Sequence, residues 1–178
     1  MSPEFSRPHR LGGEAPRRVE LRAGPAECAA LARRFSIPAV ARLEARLLLV
    51  PATDGTTRLT GTLEAEVVQE CVVTLEPVPQ AVLAPLDLLL LPEGTPATDD
   101  NPDSPDEIET EGGMVDLGEV VAEQLALAMD PYPRAPDAAI PPDLVDPSAG
   151  ALEPEADLAD TPPERPNPFA ALARLKRN

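Results

Sequence analysis

The sequence predicts an α+β fold in which a small antiparallel β-sheet is packed by two helices. Residues 40–91 alternate apolar and polar side chains with the period of two that is typical of a sheet with one solvated face. Residues 25–35 and 116–129 instead carry apolar side chains at helical spacing. An Asp54-Gly55 pair inside the alternating region is a hairpin signal. The pattern leaves open whether the sheet closes into a partial barrel.

The first predicted helix follows an irregular, basic segment. Pro25 suits the first helical turn, and Cys28, Leu31 and Phe35 recur at helical spacing. Ile37-Pro38 ends the helix, because the residue before a proline disfavours the helical conformation.

The predicted sheet contains about three to five strands and connects as a meander. The first strand covers residues 40–50. The alternation from residue 59 to residue 75 is too long for one typical strand, so we expect a break near Gln69-Glu70. Residues 81–92 form a further strand, and Pro85 within it indicates an edge position.

The second predicted helix lies between two segments that favour disorder. Residues 93–113 are dominated by Asp, Glu, Pro, Gly and Thr, and predict a flexible acidic loop. Asp116 is a good N-cap, and Glu119 three residues later suggests a capping box. Leu117, Val120, Val121, Leu125, Leu127 and Ala128 share one apolar arc. Pro131 and Pro133 prevent continuation of the helix.

These elements predict one α+β domain over residues 1–134. Residues 135–166 are rich in Pro and Asp and predict a disordered linker. Residues 167–178 predict a short amphipathic helix, with Asn167 as cap and Pro168 in the first helical position. A helix this short needs a surface to dock on.

The net charge of −16 is unevenly spread along the chain. Residues 1–58 hold ten Arg against six Asp and Glu, whereas residues 59–133 hold 17 Asp and Glu and no Lys or Arg. An acidic middle repels phosphate and attracts basic proteins, and the N-terminal part does the reverse. No apolar run near Met1 resembles a signal peptide, and none is long enough to span a bilayer. We therefore expect a cytoplasmic protein with reduced thiols.

No catalytic, cofactor-binding or metal-binding residues emerge from the sequence. His9 is the only histidine and lies in a segment that we expect to be flexible and solvated. Cys28 and Cys71 both fall on apolar faces, as buried free cysteines usually do, and two Cys with one His cannot supply a four-ligand zinc site. We expect no enzyme activity and no cofactor.

Three stretches resemble the YceD family, the large ribosomal RNA subunit accumulation proteins of bacteria. They are "GTLEAEVVQECVVTLEPV" (61–78), "MVDLGEVVAEQLALAMDPYPR" (114–134) and "NPFAALARLK" (167–176). The resemblance implies a non-enzymatic role in large-subunit biogenesis, in which the large (23S) rRNA accumulates. Many relatives carry a Cys-x-x-Cys pair at the strand turn, but here Cys71 is followed three residues later by Thr74. This departure puts any metal or redox role of that turn in doubt.

Two sets of residues are candidate contacts for a large-subunit rRNA precursor or a large-subunit ribosomal protein, and neither a membrane nor a small-molecule substrate is expected. The candidate RNA contacts are Arg7, Arg10, Arg17, Arg18, Arg22, Arg33 and Arg34. The candidate partner surface is Glu119, Glu123, Gln124, Asp130, Pro131, Tyr132, Pro133 and Arg134. Tyr132 between two prolines is either a rigid recognition edge or a side chain packed back on the sheet. An alternative function is an acidic module that escorts a basic client protein.

Overall fold

The computed structural model describes residues 4–95 and 104–139. In chain order its strands and helices are β1 (Pro8–Arg10), β2 (Arg17–Arg22), α1 (Pro25–Phe35), β3 (Ala39–Pro51), β4 (Thr57–Glu70), β5 (Pro77–Leu91), β6 (Asp106–Glu109), β7 (Met114–Asp116) and α2 (Leu117–Ala128). The predicted linker from residue 140 onwards and the predicted helix 167–178 lie outside the described residues. The α+β class predicted from the sequence is confirmed for the part described.

One five-stranded sheet forms the centre of the fold, in the order β2-β3-β4-β5-β6. Its first four strands are antiparallel neighbours, whereas β6 pairs in parallel with the end of β5. A separate two-stranded sheet joins β1 to β7. The five-stranded sheet is open, because β2 and β6 lie at its two edges among the described strands, so the partial-barrel alternative does not hold.

The two faces of the sheet differ as the alternation predicts. Residues such as Leu43, Leu63 and Leu88 point into one apolar core, which also takes in Leu31 of α1 and Leu125 of α2. Both helices therefore cover the same face. The opposite face is polar and carries ion pairs between neighbouring strands, including Arg46 with Glu64 at 2.9 Å.

Three strand predictions are confirmed. The Asp54-Gly55 turn connects β3 to β4, and Gly55 has the positive φ of 88° that this turn requires. Strand β4 ends at Glu70, where the break was expected. At Pro85, strand β5 pairs only with β4, because β6 begins to pair at Leu88, so Pro85 occupies an edge position.

Three features of the described residues differ from the sequence predictions. Strand β2 lies in the basic segment read as irregular, where it pairs with Glu44–Leu49 of β3. Strand β6 lies within the predicted flexible acidic loop, and the buried Thr110 after it donates its hydroxyl to the Leu91 carbonyl at 2.7 Å. His9 is half-buried in β1 rather than solvated, and burial first, then Arg17, lowers its pKa.

Helix α2 confirms its predicted start but corrects two details. The Asp116 carboxylate accepts hydrogen bonds from the Gly118 and Glu119 backbone N–H groups, as an N-cap does. The Glu119 side chain does not complete a capping box; it pairs with Arg34 of α1. Leu127 was assigned to the apolar arc but is 75% exposed, because it lies at the margin of that arc, whereas Leu125 and Ala128 of the same turn pack against the core.

Candidate functional site at the hairpin tip

The turn between β4 and β5 is closed by its own backbone. The Cys71 N–H donates to the Glu76 carbonyl at 2.8 Å, and the Leu75 N–H donates to the Cys71 carbonyl at 2.9 Å. This geometry places Leu75 in the left-handed region, with a φ of 61°. That conformation is unfavourable for a residue with a branched side chain and is retained only where the surroundings enforce it.

The segment after α2 docks against this turn through hydrogen bonds from three residues. Gln69 donates its side-chain N–H to the Asp130 carbonyl at 2.9 Å. The Val72 N–H donates to the carbonyl of the buried Pro133 at 2.9 Å, and the Ala135 N–H donates to the Cys71 sulfur at 3.3 Å. We call residues 70–76 and 130–137 together the hairpin tip. The "DPYPR" exit is therefore held in place by tertiary contacts.

The Cys71 thiol is fully buried within the tip, in a polar setting that the sequence did not predict. Its sulfur accepts backbone N–H groups from Val73, Thr74 and Ala135 at 3.3–3.4 Å. A hydrogen bond from the Thr74 side chain, followed by the bond from Ala135, lowers the pKa of Cys71 to about 7. Burial has the opposite effect on Cys28, whose pKa is raised.

The residues of the tip do not form a metal site. No group of three or more His, Cys, Asp or Glu side chains suited to a metal ion occurs within residues 4–95 and 104–139. Thr74, three residues after Cys71, supplies no second thiol, and the Cys71 sulfur is used as a hydrogen-bond acceptor instead.

The outer surface of the tip is apolar and acidic. Leu75 and Tyr132 are 72% and 71% exposed, and Val72 is 47% exposed. The Tyr132 ring therefore does not pack back on the sheet; only its backbone N–H is tied down, by the Asp130 carboxylate at 2.8 Å. The exposed charged residues of the tip are four carboxylates and one arginine: Glu70, Glu76, Asp130, Asp137 and Arg134.

The candidate partner surface predicted from the sequence falls into two parts. Pro131, Tyr132, Pro133 and Arg134 belong to the tip together with Asp130. Glu119, by contrast, holds α2 to α1 through Arg34, at 2.5 Å and 2.8 Å. Glu123 is exposed on the outer side of α2, and Gln124 is half-exposed.

The candidate RNA-contacting arginines are also divided. Arg7 binds both carboxylate oxygens of Glu27, at 2.7 Å and 2.9 Å, and its guanidinium lies 4.6 Å from the Phe5 ring centre. Arg34 binds Glu119 and Glu4, and Arg22 pairs with Glu44 at 3.3 Å. These bonds to carboxylates raise the pKa values of Arg7 and Arg34.

The remaining four arginines are exposed and have no ion pair within the part of the chain that the structure describes. Arg17 donates to the backbone carbonyls of Arg10 and Gly12, which brings Arg10, Arg17 and Arg18 together at the start of β2. We call these three residues the basic corner. Arg33 lies apart from them, in the last turn of α1. Their contact with RNA stays a prediction.

Comparison with known families identifies the chain. A family model described as "Large ribosomal RNA subunit accumulation protein YceD" matches residues 59–176. The chain belongs to the YceD family. This match includes both segments of the tip and confirms the resemblance seen in the sequence. The family name gives the protein a general role in ribosome biogenesis, in the accumulation of large-subunit ribosomal RNA.

Other comparisons add no relatives. Neither a search of curated proteins nor a search of solved structures found a match. The YceD match leaves residues 1–58 outside it, and these hold all seven candidate RNA-contacting arginines. None of the helices in the described ranges is long and apolar enough to cross a membrane.

Proposed function

We propose that the protein is a non-enzymatic assembly factor of the large ribosomal subunit, needed in the cytoplasm for accumulation of the 23S rRNA. Membership of the YceD family supports the biological setting. The observation that carries the mechanism is the hairpin tip, in which exposed Leu75 and Tyr132 stand on a hydrogen-bonded base. A surface held in this way favours binding rather than chemistry.

The positions of the reactive side chains favour a binding role. Among the described cysteines, Cys71 is the one with a lowered pKa, but its side chain is fully buried and faces backbone N–H groups. His9 lies in β1, which pairs with β7 and not with the strands that form the tip. A nucleophile and a base need to lie within hydrogen-bond reach of each other to act together.

Depletion of the protein from cells tests this function. We expect the ratio of 23S to 16S rRNA to fall and large-subunit precursors to collect on sucrose gradients. The wild-type chain should restore the ratio. An unchanged ratio in depleted cells, with normal gradient profiles, would contradict the assembly role.

A second candidate function is an acidic module that escorts a basic client protein outside ribosome assembly. The four exposed carboxylates of the tip favour this alternative, because they attract basic partners of any kind. Affinity purification at moderate salt separates the two functions. Recovery of large-subunit rRNA and several ribosomal proteins supports assembly, whereas recovery of one unrelated basic protein supports the escort role.

A further inference from the structure

We propose that the hairpin tip is a docking surface for a basic protein segment in which an apolar anchor residue is flanked by Lys or Arg. This inference rests on the proposed function for its setting, in which the segment belongs to a large-subunit ribosomal protein. The apolar exposure, the rigidity and the charge of the tip each support it.

Three apolar side chains of the tip are exposed, and they come from two segments that are hydrogen-bonded to each other. Val72 and Leu75 belong to the β4–β5 turn, and Tyr132 belongs to the segment after α2. The hydrogen bond from the Val72 N–H to the Pro133 carbonyl joins these two segments. Grouped exposed apolar side chains with a polar rim mark interaction sites, whereas scattered ones need no explanation.

The tip is also organised before any partner binds. Leu75 keeps its left-handed conformation although its side chain makes little contact with the protein, being 72% exposed. Tyr132 is fixed between Pro131 and Pro133, whose rings restrict the backbone. A surface that is already ordered loses less conformational entropy on binding, and Tyr is a common anchor in protein interfaces.

The charge around these anchors selects the partner. Glu70, Glu76, Asp130 and Asp137 are exposed within the tip, against Arg134 alone. This excess of negative charge repels a phosphate backbone and attracts Lys and Arg.

Binding of synthetic peptides to the purified full chain tests this inference. The probes are fluorescent peptides that tile the basic extensions of large-subunit ribosomal proteins, and matched peptides in which every Lys and Arg is replaced by Glu. Fluorescence anisotropy gives Kd. The tip variants are Leu75→Gly and Tyr132→Ala, and the matched control is Leu83→Ala, an equally exposed leucine on the outer face of β5.

Leu75→Gly separates binding from folding. Glycine adopts a positive φ without strain, so this variant should be at least as stable as the wild type in thermal unfolding. We expect Leu75→Gly and Tyr132→Ala each to raise Kd by about tenfold or more, as loss of an interface anchor does. Leu83→Ala should leave Kd unchanged, because this leucine is distant from the tip. The Glu-substituted peptides should not bind, because the tip is itself acidic.

Other occupants of the tip would overturn the inference. It fails if no peptide binds, or if both tip variants bind the peptides as the wild type does. It also fails if the tip variants instead lose affinity for a 23S rRNA fragment, or lose self-association in sedimentation. The proposed function is tested separately: an unchanged rRNA ratio in depleted cells rejects that function while the peptide result stands.

Discussion

The hairpin tip and the basic corner lie at opposite ends of the central sheet. Arg17 of β2 pairs with Leu49 of β3, which in turn pairs with Leu59 near the start of β4. Glu70 is the last residue of β4, at the other end of the sheet. At about 3.3 Å per residue, Leu59 and Glu70 are roughly 35 Å apart. Among the described residues, the protein thus presents an acidic, apolar surface at one end and arginines without ion pairs at one corner of the other end.

The two regions are held in different ways. The tip joins segments about 60 residues apart in sequence through side-chain and backbone hydrogen bonds, including Gln69 to Asp130. The basic corner depends on an edge strand and on the local contact from Arg17 to the Gly12 carbonyl. Positive charge alone therefore does not mark a contact surface, because Arg7 and Arg34 are paired with carboxylates of the fold, whereas Arg10 and Arg18 have no ion pair among the described residues.

The largest expected effect is on RNA affinity, from Arg10→Ser, Arg17→Ser and Arg18→Ser combined. If the basic corner contacts phosphates, affinity for a 23S rRNA fragment falls and the slope of log K against log salt decreases by about 2–3. The matched control is Arg22→Ser, Arg46→Ser and Arg58→Ser, which removes the same charge from ion-paired arginines. Equal losses in both triple variants would show that net charge, not the corner, sets the affinity.

Gly118→Ala should detach the N-terminal segment without touching the tip. A Cβ at residue 118 would collide with the Phe5 backbone carbonyl, which cannot move without displacing β1. We expect a loss of about 1–3 kcal/mol in the free energy of unfolding, as for overpacking of a core. Urea unfolding measures this loss, and limited proteolysis should cut first near residues 4–13. Cleavage at the tip instead would mean that the two ends are not independent.

Asp116→Asn should reduce the loss of folding stability at acid pH that involves the N-terminal segment. Burial raises the pKa of Asp116, but hydrogen bonds from Arg7, Ser6, Glu119 and Gly118 outweigh it, so the folded pKa lies below its usual value. Its contribution is therefore complete above the unfolded pKa near 3.9 and is lost as pH falls through the folded value. The variant should lose about 1–2 kcal/mol at neutral pH and show a flatter acid limb in urea titrations.

That acid limb should not disappear entirely. Glu27 also has a lowered pKa, because Arg7 bonds to its carboxylate, and it remains in the variant. An acid limb of Asp116→Asn as steep as that of the wild type would contradict the role given to the cap.

Thr74→Val should produce the smallest effect, a shift in one thiol titration at the tip. In the wild type, ultraviolet thiolate absorbance should show Cys71 titrating at about pH 7 and Cys28 above its usual range. Loss of the Thr74 hydroxyl should raise the pKa of Cys71 towards its ordinary value, while the backbone donors remain. The Cys71→Ser variant should lack the titration near pH 7, which assigns that titration to Cys71. A single titration near the usual value of a free cysteine would exclude the hydrogen-bonded thiol.

The same thiol gives the tip a defined pH dependence. Because the folded pKa of Cys71 is below its unfolded value, the thiolate contributes stability that is complete above the unfolded pKa and is lost as pH falls through about 7. Stability of the wild type should therefore rise between pH 7 and about 9, and Cys71→Ser should lack this rise.

The elements with local signals could be predicted from the sequence alone. Alternation of period two specifies β3 to β5, Asp54-Gly55 specifies their first turn, and Pro25 and Asp116 specify where the helices begin. Each signal depends on neighbours within a few residues, so it is complete in a short window of sequence. The apolar parity of the strands likewise determined which face of the sheet is buried.

The roles of segments that are distant in sequence depend on tertiary contacts. The sequences of β2 and β6 predict basic and acidic coil, respectively. Short edge strands are stabilised by backbone hydrogen bonds to a neighbouring strand, and their own sequence pattern does not reveal that pairing. The partners of Arg7 and Arg34, 20 and 85 residues away, have no local signal either. The tip is the clearest case. The burial of Cys71 and the exposure of Tyr132 both result from docking of the "DPYPR" segment on the β4–β5 turn, a contact that forms only when the chain folds.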